Sequence, residues 1–369
     1  VTPDSAPVTP PDAAPDAPAV VEPLSVQSLG VQGFVLQHGH DIVMTAPLYT
    51  RQSELEVTLN IPITPDTASI DSHLAAAGVD LDEVRAVVSG HAHYDHFVDV
   101  PHILSQAPNA STITNLTGRH ILAALAPDRA ASCTSAPASP TIDRSRVIAM
   151  DDPFDNHVDY TNCPAQIPAG TDGHATWLQV NPHVRVMGFC SMHPAQVGGI
   201  YHFGAGSIDT DQCDLPPAAA GWLEGQTLAY VIDFLDDLGY PTFRVFYQDA
   251  PTNAPIGDVP QTILADKPVD LALLCVGSYD VVTNQPTDII ANVQPRFALS
   301  GHWEDFFQAV DTPPQPIPLL DVNTYVARAE AALPPPNDAP LTVDGEQTNA
   351  RFVLAQPGMR LVVPPRIMR

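Results

Sequence analysis

The sequence predicts an α/β protein built in layers, with helices packed outside paired sheets. Three observations carry that expectation. Short runs rich in Val, Ile and Leu, broken by glycine, recur along the chain. Segments with helical spacing alternate with them in the first third. Two strand-rich halves follow one another, a pattern that suits a four-layer αββα sandwich, with disulfide-stapled insertions between elements.

The opening, residues 1–23, reads "VTPDSAPVTPPDAAPDAPAVVEP". It has no periodicity and no aromatic residue, so it cannot bury enough apolar area to offset its ordering entropy. It reads as a disordered Pro/Ala/Asp-rich tether, a segment left after processing, ahead of one domain over 24–369. "LSVQSLGVQGFVLQHG" and "HDIVMTAPLY" are strands of a meander. "IDSHLAAAG" has helical spacing and a glycine stop, and "RAVVSG" is the strand that follows it. "PHILSQAPNASTITNLTGRHILAAL" reads as helix, strand, helix. Residues 126–173, rich in Pro, Ser, Asp and Asn, read as an insertion, and so do 197–224. Strands resume with "ATWLQVN" and "HVRVMGFCSMH", then "QTLAYVIDF", "TFRVFYQDA", "VDLALLCVG" and "PRFALSG". "ARFVLAQPGMRLVVPP" reads as a late hairpin.

The 369 residues carry 42 acidic and 15 basic side chains, a formal net charge of -27, and Lys267 is the sole lysine. Such a surface repels phosphate backbones and anionic bilayers, which excludes nucleic acid as an expected partner. No apolar run is long enough for a membrane span. The partner expected is a small-molecule substrate; the oligomeric state is left open. Of the five cysteines, Cys133, Cys163, Cys190 and Cys213 are expected to form two disulfides, neighbours in sequence first: Cys133 with Cys163, Cys190 with Cys213. Cys275, within an apolar run, is a buried free thiol. Disulfides and tether together suggest a secreted, periplasmic or envelope-tethered bacterial protein.

The densest chemistry lies in "VVSGHAHYDHFVDV". His91, His93, Asp95 and His96 follow an apolar strand directly. In a continuing strand they would alternate faces; in a turn at the strand end they converge. Imidazole and carboxylate together suit zinc or a similar divalent ion, and the lack of a nearby thiolate favours an open, catalytic site over a closed structural one. His38 and His40, two apart, fit exposed positions at a hairpin turn better than a metal site. His102 reads as a packing or supporting residue and Tyr94, Tyr279 and Trp303 as pocket candidates, while Tyr201, His202 and Trp222 either wall the cleft or pack the insertion.

"HAHYDH" resembles the H-x-H-x-D-H signature of the metallo-β-lactamase-fold superfamily. "FALSGHWEDF" and "VDLALLCVG" are similar to the branch that contains ascorbate-6-phosphate lactonase and N-acylphosphatidylethanolamine phospholipase D. The resemblance spans roughly Leu24 to Phe307. It implies an αββα sandwich with two divalent metal ions at one sheet edge, zinc first, manganese or iron as the other candidates. The first ion falls to His91, His93 and His193, the second to Asp95, His96 and His302, and Asp249 bridges them. His183 and His174 are weaker choices than His193. Gln248 stands where the family has glycine before the bridging aspartate, and Ala46 where it often has aspartate. The implied activity is hydrolysis of an ester, lactone or phosphoester by a hydroxide formed between the ions, with Asp95 and Asp249 the catalytic carboxylates. The alternatives are an iron oxidoreductase of the same fold, and an envelope binding protein that holds metal without turnover.

Overall fold

A computed structural model describes residues 21–129, 131–170, 173–196, 200, 202–335 and 339–366. Most of the expected tether, and Tyr201, lie outside the described residues. Strand patterning produces two sheets. The first contains β1 (Leu24–Gly30), β2 (Gly33–His38), β3 (Asp41–Thr45), β4 (Val84–Val88), β5 (Ser111–Thr114) and β6 (Val147–Ala149), side by side in that order. β1 to β3 form the expected antiparallel meander, and β3 to β6 run parallel. The second sheet contains β7 (Val158–Asp159), β8 (Leu178–Asn181), β9 (Val184–Cys190), β10 (Leu228–Leu235), β11 (Pro241–Gln248), β12 (Leu271–Cys275) and β13 (Phe297–Gly301). Late in the chain, β14 (Leu341–Val343) and β15 (Glu346–Thr348) extend the first sheet, β16 (Phe352–Leu354) joins the second, and β17 (Arg360–Val363) returns to the first beside β1.

The period-2 alternation of each strand decides which layer a side chain enters. Along β10, Leu228, Tyr230, Ile232 and Phe234 enter the core between the sheets, whereas Ala229 and Val231 face outward. On β3, Val43 points inward and Ile42 and Met44 outward. The outer face of the first sheet is covered by helices Thr67–Ala77, Val100–Gln106 and Leu116–Leu122, that of the second by Thr287–Val293 and Val322–Ala332. The result is the expected four-layer sandwich. Helix Thr67–Ala77 begins where the Asp66 side chain accepts from the Ser69 N–H, and ends at Gly78 with φ 70°, a left-handed turn that glycine adopts without steric cost.

Three expectations are corrected. The late hairpin does not form: β16 pairs in parallel with β13 and β17 antiparallel with β1, so the turn at Ala355–Met359 crosses from one sheet to the other. An apolar run followed by a Gly turn and another apolar run looks the same in either case. Residues 126–173 are not all insertion, because β6 and β7 within them each join a sheet; both strands are too short to show a period.

The disulfides are Cys133–Cys213 and Cys163–Cys190, with Cα–Cα distances of 5.3 and 6.0 Å, and Cys275 is free and buried. Two bridges and one free thiol were expected, but not this pairing. The first bridge ties one insertion to the other; the second ties residue 163 to the end of β9. Spatial neighbours here are set by where β9 ends, not by order in the chain.

Closing loops of 80 and 27 residues removes denatured-state entropy worth about 4.5 and about 3.5 kcal/mol in the chain-entropy account. Unfolding the oxidised protein in an alkylating agent should label Cys275 alone, and reduction should expose all five cysteines. Non-reduced peptide mapping should recover the Cys133–Cys213 and Cys163–Cys190 fragments.

Candidate metal centre

Strand direction brings the site together. β10 is antiparallel to both β9 and β11, and β11, β12 and β13 are parallel. The C-terminal ends of β9, β11 and β13 therefore share one edge, and His193, Asp249 and His302 follow those ends. The first sheet delivers the "HAHYDH" turn to the same edge, directly after β4. The Leu228 N–H donates to the Gly90 carbonyl at 2.8 Å, and the Tyr230 hydroxyl donates to the Ser89 carbonyl at 3.0 Å. These bonds lock the two sheets together beside the cluster.

Two groups of donors form there. His91, His93 and His193 have ligand atoms within 4.8 Å of one another, and so do Asp95, His96 and His302. In the first group each ring has one nitrogen committed to the protein. His91 Nδ1 lies 3.0 Å from Asp249 Oδ1, His93 Nε2 lies 3.3 Å from the Gly204 carbonyl, and His193 Nδ1 lies 2.7 Å from the Pro194 carbonyl. Each committed nitrogen must carry the proton toward its acceptor, which leaves Nε2, Nδ1 and Nε2 respectively with a lone pair to offer. His91 Nε2 is buried without a hydrogen-bond partner. In the second group Asp95 Oδ2 stands 3.4 Å from His96 Nε2 and 3.3 Å from His302 Nε2. Donors bound to one zinc ion at 2.0–2.1 Å stand about 3.3 Å apart along a tetrahedral edge. Both groups fit a divalent cation by donor chemistry and spacing.

Electrostatics agree with this fit. Burial drives His91, His93 and His96 down to about 3 and holds His193 well below the ordinary imidazole range, so these rings are neutral lone-pair donors at working pH. Burial also opposes ionisation of Asp95, but His96 and His302 outweigh it and keep its carboxyl well below the usual range. Asp249 is pushed upward by burial, against the pull of His96, the Gly90 N–H and Tyr247.

Asp249 lies in neither group of three. Its Oδ2 accepts from the Gly90 N–H at 2.6 Å and from the Tyr247 hydroxyl at 3.3 Å, and its Oδ1 faces His91. It orients His91 from behind while lying within electrostatic reach of His96 and His302. Its side chain is 0% exposed, against 12% for Asp95. His302 holds a φ of 57°, a left-handed conformation uncommon for a residue with a side chain and frequent where a site over-determines its backbone. Its N–H donates to the Val31 carbonyl at 2.5 Å, and the Val31 N–H donates to buried Glu304.

The other sequence candidates fall elsewhere. His183 sits 3.2 Å from Asp41, and neither it nor His174 joins a donor group. His38 is wedged against Phe234 and Phe243 instead of lying exposed, while His40 is exposed and pairs with Glu83. His102 bonds Asp71 at the surface. Trp222 takes the packing alternative, edge-on to Phe97, and Tyr279 and Trp303 are core residues, not cleft walls: the Tyr279 hydroxyl donates to the Asp321 carbonyl, and the Trp303 indole donates to the Ala355 carbonyl. Buried Ala46 packs between the sheets. One neighbour of the centre carried no sequence signal: Glu224, in the loop "WLEGQ", with a carboxylate oxygen 4.0 Å from His93 Nε2.

No protein-family model and no curated protein matches this chain. Among solved structures, it is similar to Igni18, a novel metallo hydrolase from the hyperthermophilic archaeon Ignicoccus hospitalis, at 14% identity and TM-score 0.45, covering 92% of this chain and 98% of that one. It is similar to the metallo-beta-lactamase fold protein YhfI from Bacillus subtilis at 11% identity and TM-score 0.45, covering 92% and 100%. The metallo-beta-lactamase MIM-1 from Novosphingobium pentaromativorans aligns at 11% identity and TM-score 0.32, over 83% and 86%. Every identity is low and each TM-score is below one half.

Lowered imidazole pKa values set the pH response of the metal-stripped protein. Below about pH 6.5 the unfolded chain takes up protons that folded His91, His93 and His96 refuse until about pH 3. Stability is therefore lost as pH falls through that window, by up to about 1.4 kcal/mol per pH unit for each ring. Urea titrations of the stripped protein at pH 7 and 5 should show the drop, and His93→Gln should make it shallower. Separately, a Cβ at Gly90 would collide with Asp249 and the Leu228 carbonyl. Gly90→Ala should lower bound metal, measured by elemental analysis, in a chain that still folds.

Proposed function

We propose that this protein is a hydrolase dependent on two divalent cations, zinc foremost, that cleaves an ester, lactone or phosphoester bond of a small molecule. His91, His93 and His193 would hold one ion and Asp95, His96 and His302 the other, with Asp249 supporting His91 from behind. The observation that carries the reading is the pair of converging donor groups, each at ligand spacing, at one edge of the sandwich. When bound, such ions supply Lewis acidity at the scissile carbonyl or phosphoryl group and lower the pKa of water toward neutrality.

The chain's own residues have distinct tasks. Asp249 and the carbonyls of Gly204 and Pro194 take the outward N–H of His91, His93 and His193 and fix each ring's tautomer. A group that exchanges a proton with substrate must be reachable. The Asp95 side chain keeps 12% exposure, whereas that of Asp249 has none and sits behind His91. Asp95 is therefore the proton acceptor from the nucleophile or donor to the leaving group, and Asp249 acts through position and charge. The two disulfides support an oxidising compartment, outside the cytoplasm. Among the described residues no helix is long and apolar enough to cross a membrane.

Purified protein should release product from at least one member of a panel of phosphodiesters, lactones and carboxylic esters. Chelation should abolish the activity and added zinc or manganese restore it. Asp95→Asn should retain much of the metal and lose at least ~100-fold in kcat. Iron with redox turnover, or bound metal with no hydrolysis across the panel, would count against this function.

A further inference from the structure

His193 belongs to two donor groups. On one side it faces His91 and His93, with ring centroids 4.7 and 4.9 Å away. On the other it stacks on His202 at 5.3 Å, and His193, His202 and Glu224 again have ligand atoms within 4.8 Å of one another. His202 Nε2 stands 2.5 Å from Glu224 Oε2 outside hydrogen-bond geometry, closer than the ~3.3 Å between two donors on one zinc ion, so the two must draw apart to admit one. Two histidines and one glutamate are a donor set that zinc accepts while leaving a coordination position open.

Glu224 is held firmly in this place. Its carbonyl accepts from the Ala92 N–H at 3.0 Å and from the Asn115 amide at 2.6 Å, and its N–H donates to the Gly204 carbonyl at 2.9 Å. That carbonyl is the one facing His93. The outer group lines a cavity of about 250 Å³ shared with Ser191 and Thr227, whose buried hydroxyls have no hydrogen-bond partner. The cavity is therefore polar and under-satisfied as it stands. The outer donors are also more exposed: the side chains of His202 and Glu224 are 27% and 16% exposed, against 0% and 4% for His91 and His93.

We propose that His193, His202 and Glu224 form a second, outer position for a divalent metal ion, alternative to the inner position at His91, His93 and His193. The two positions exclude each other. His193 Nδ1 is committed to the Pro194 carbonyl, so a single nitrogen serves both, and the ring hands an ion from the outer donors to the inner ones. The outer position is the point of entry for the inner ion. This inference rests on the proposed role of His193 in the inner group.

Zinc stoichiometry of the full chain tests it. Wild type should bind two ions at saturation. His91→Ala, which removes an inner donor and leaves all three outer ones, should also bind two, and adding Glu224→Gln should reduce that to one. In a chain with the inner group intact, His202→Gln or Glu224→Gln should still reach two ions but take up Co²⁺ at least ~10-fold more slowly by absorbance, which keeps the test available should His91→Ala fail to fold. One ion in His91→Ala, or unchanged Co²⁺ uptake in both outer variants, would overturn the outer position and leave the two-ion reading standing. Wild type without bound zinc would instead overturn the two-ion reading itself.

Discussion

Every other feature of this molecule answers to one constraint: five imidazoles and two carboxylates are packed into a nearly dry sheet edge. Removing such groups from water costs free energy unless each finds a partner, and a buried polar atom left alone costs about 1–3 kcal/mol. The protein meets part of that cost with its own groups. Asp249, Gly204 and Pro194 take one nitrogen each of His91, His93 and His193. The remaining lone pairs face one another, an arrangement with no protein partner and a natural cationic one.

Close approach is the second requirement, and glycine supplies it. At Gly90 the backbone touches Asp249, and a Cβ at Gly204 would stand 2.8 Å from His93 Nε2. Gly204 also holds φ at 66°, where a side chain would add strain. These positions let loops approach imidazoles at distances no larger residue permits. The same approach fixes which ring nitrogen is available, so backbone geometry and donor chemistry are coupled there.

The outer wall depends on covalent ties, because it has little core of its own. Cys133–Cys213 links one irregular segment to another, and Cys163–Cys190 anchors the first of them at the end of β9, three residues from His193. The scarce cations serve structure: Arg244 is bound to Asp233, and Lys267, Arg296 and Arg366 surround Asp270. None of these six basic and acidic residues lines the cleft beside His193. The cleft beside His193 is lined by imidazole, hydroxyl, amide and carboxylate groups, with no lysine or arginine.

The layered fold and the "HAHYDH" turn were legible in the residues alone, because strand alternation and clustered ligand types are local properties that survive without neighbours. His193, Asp249 and His302 were singled out through the family resemblance, which expects ligands at strand ends, and each does follow the end of a strand. What lay beyond reach depended on contacts between distant segments. The last apolar runs could form a hairpin or divide between sheets; only pairing with β13 and β1 decided it. Disulfide partners, the sealing of Asp249 behind His91, and the burial of Trp222, Tyr279 and Trp303 likewise follow from packing. Glu224 sits in a loop with no period and no motif, and its backbone bonds to Ala92, Asn115 and Gly204 bring it beside His93. Residue type determined the chemistry available, and tertiary structure decided which lone pairs face each other, because that choice is made by atoms a hundred or more positions apart.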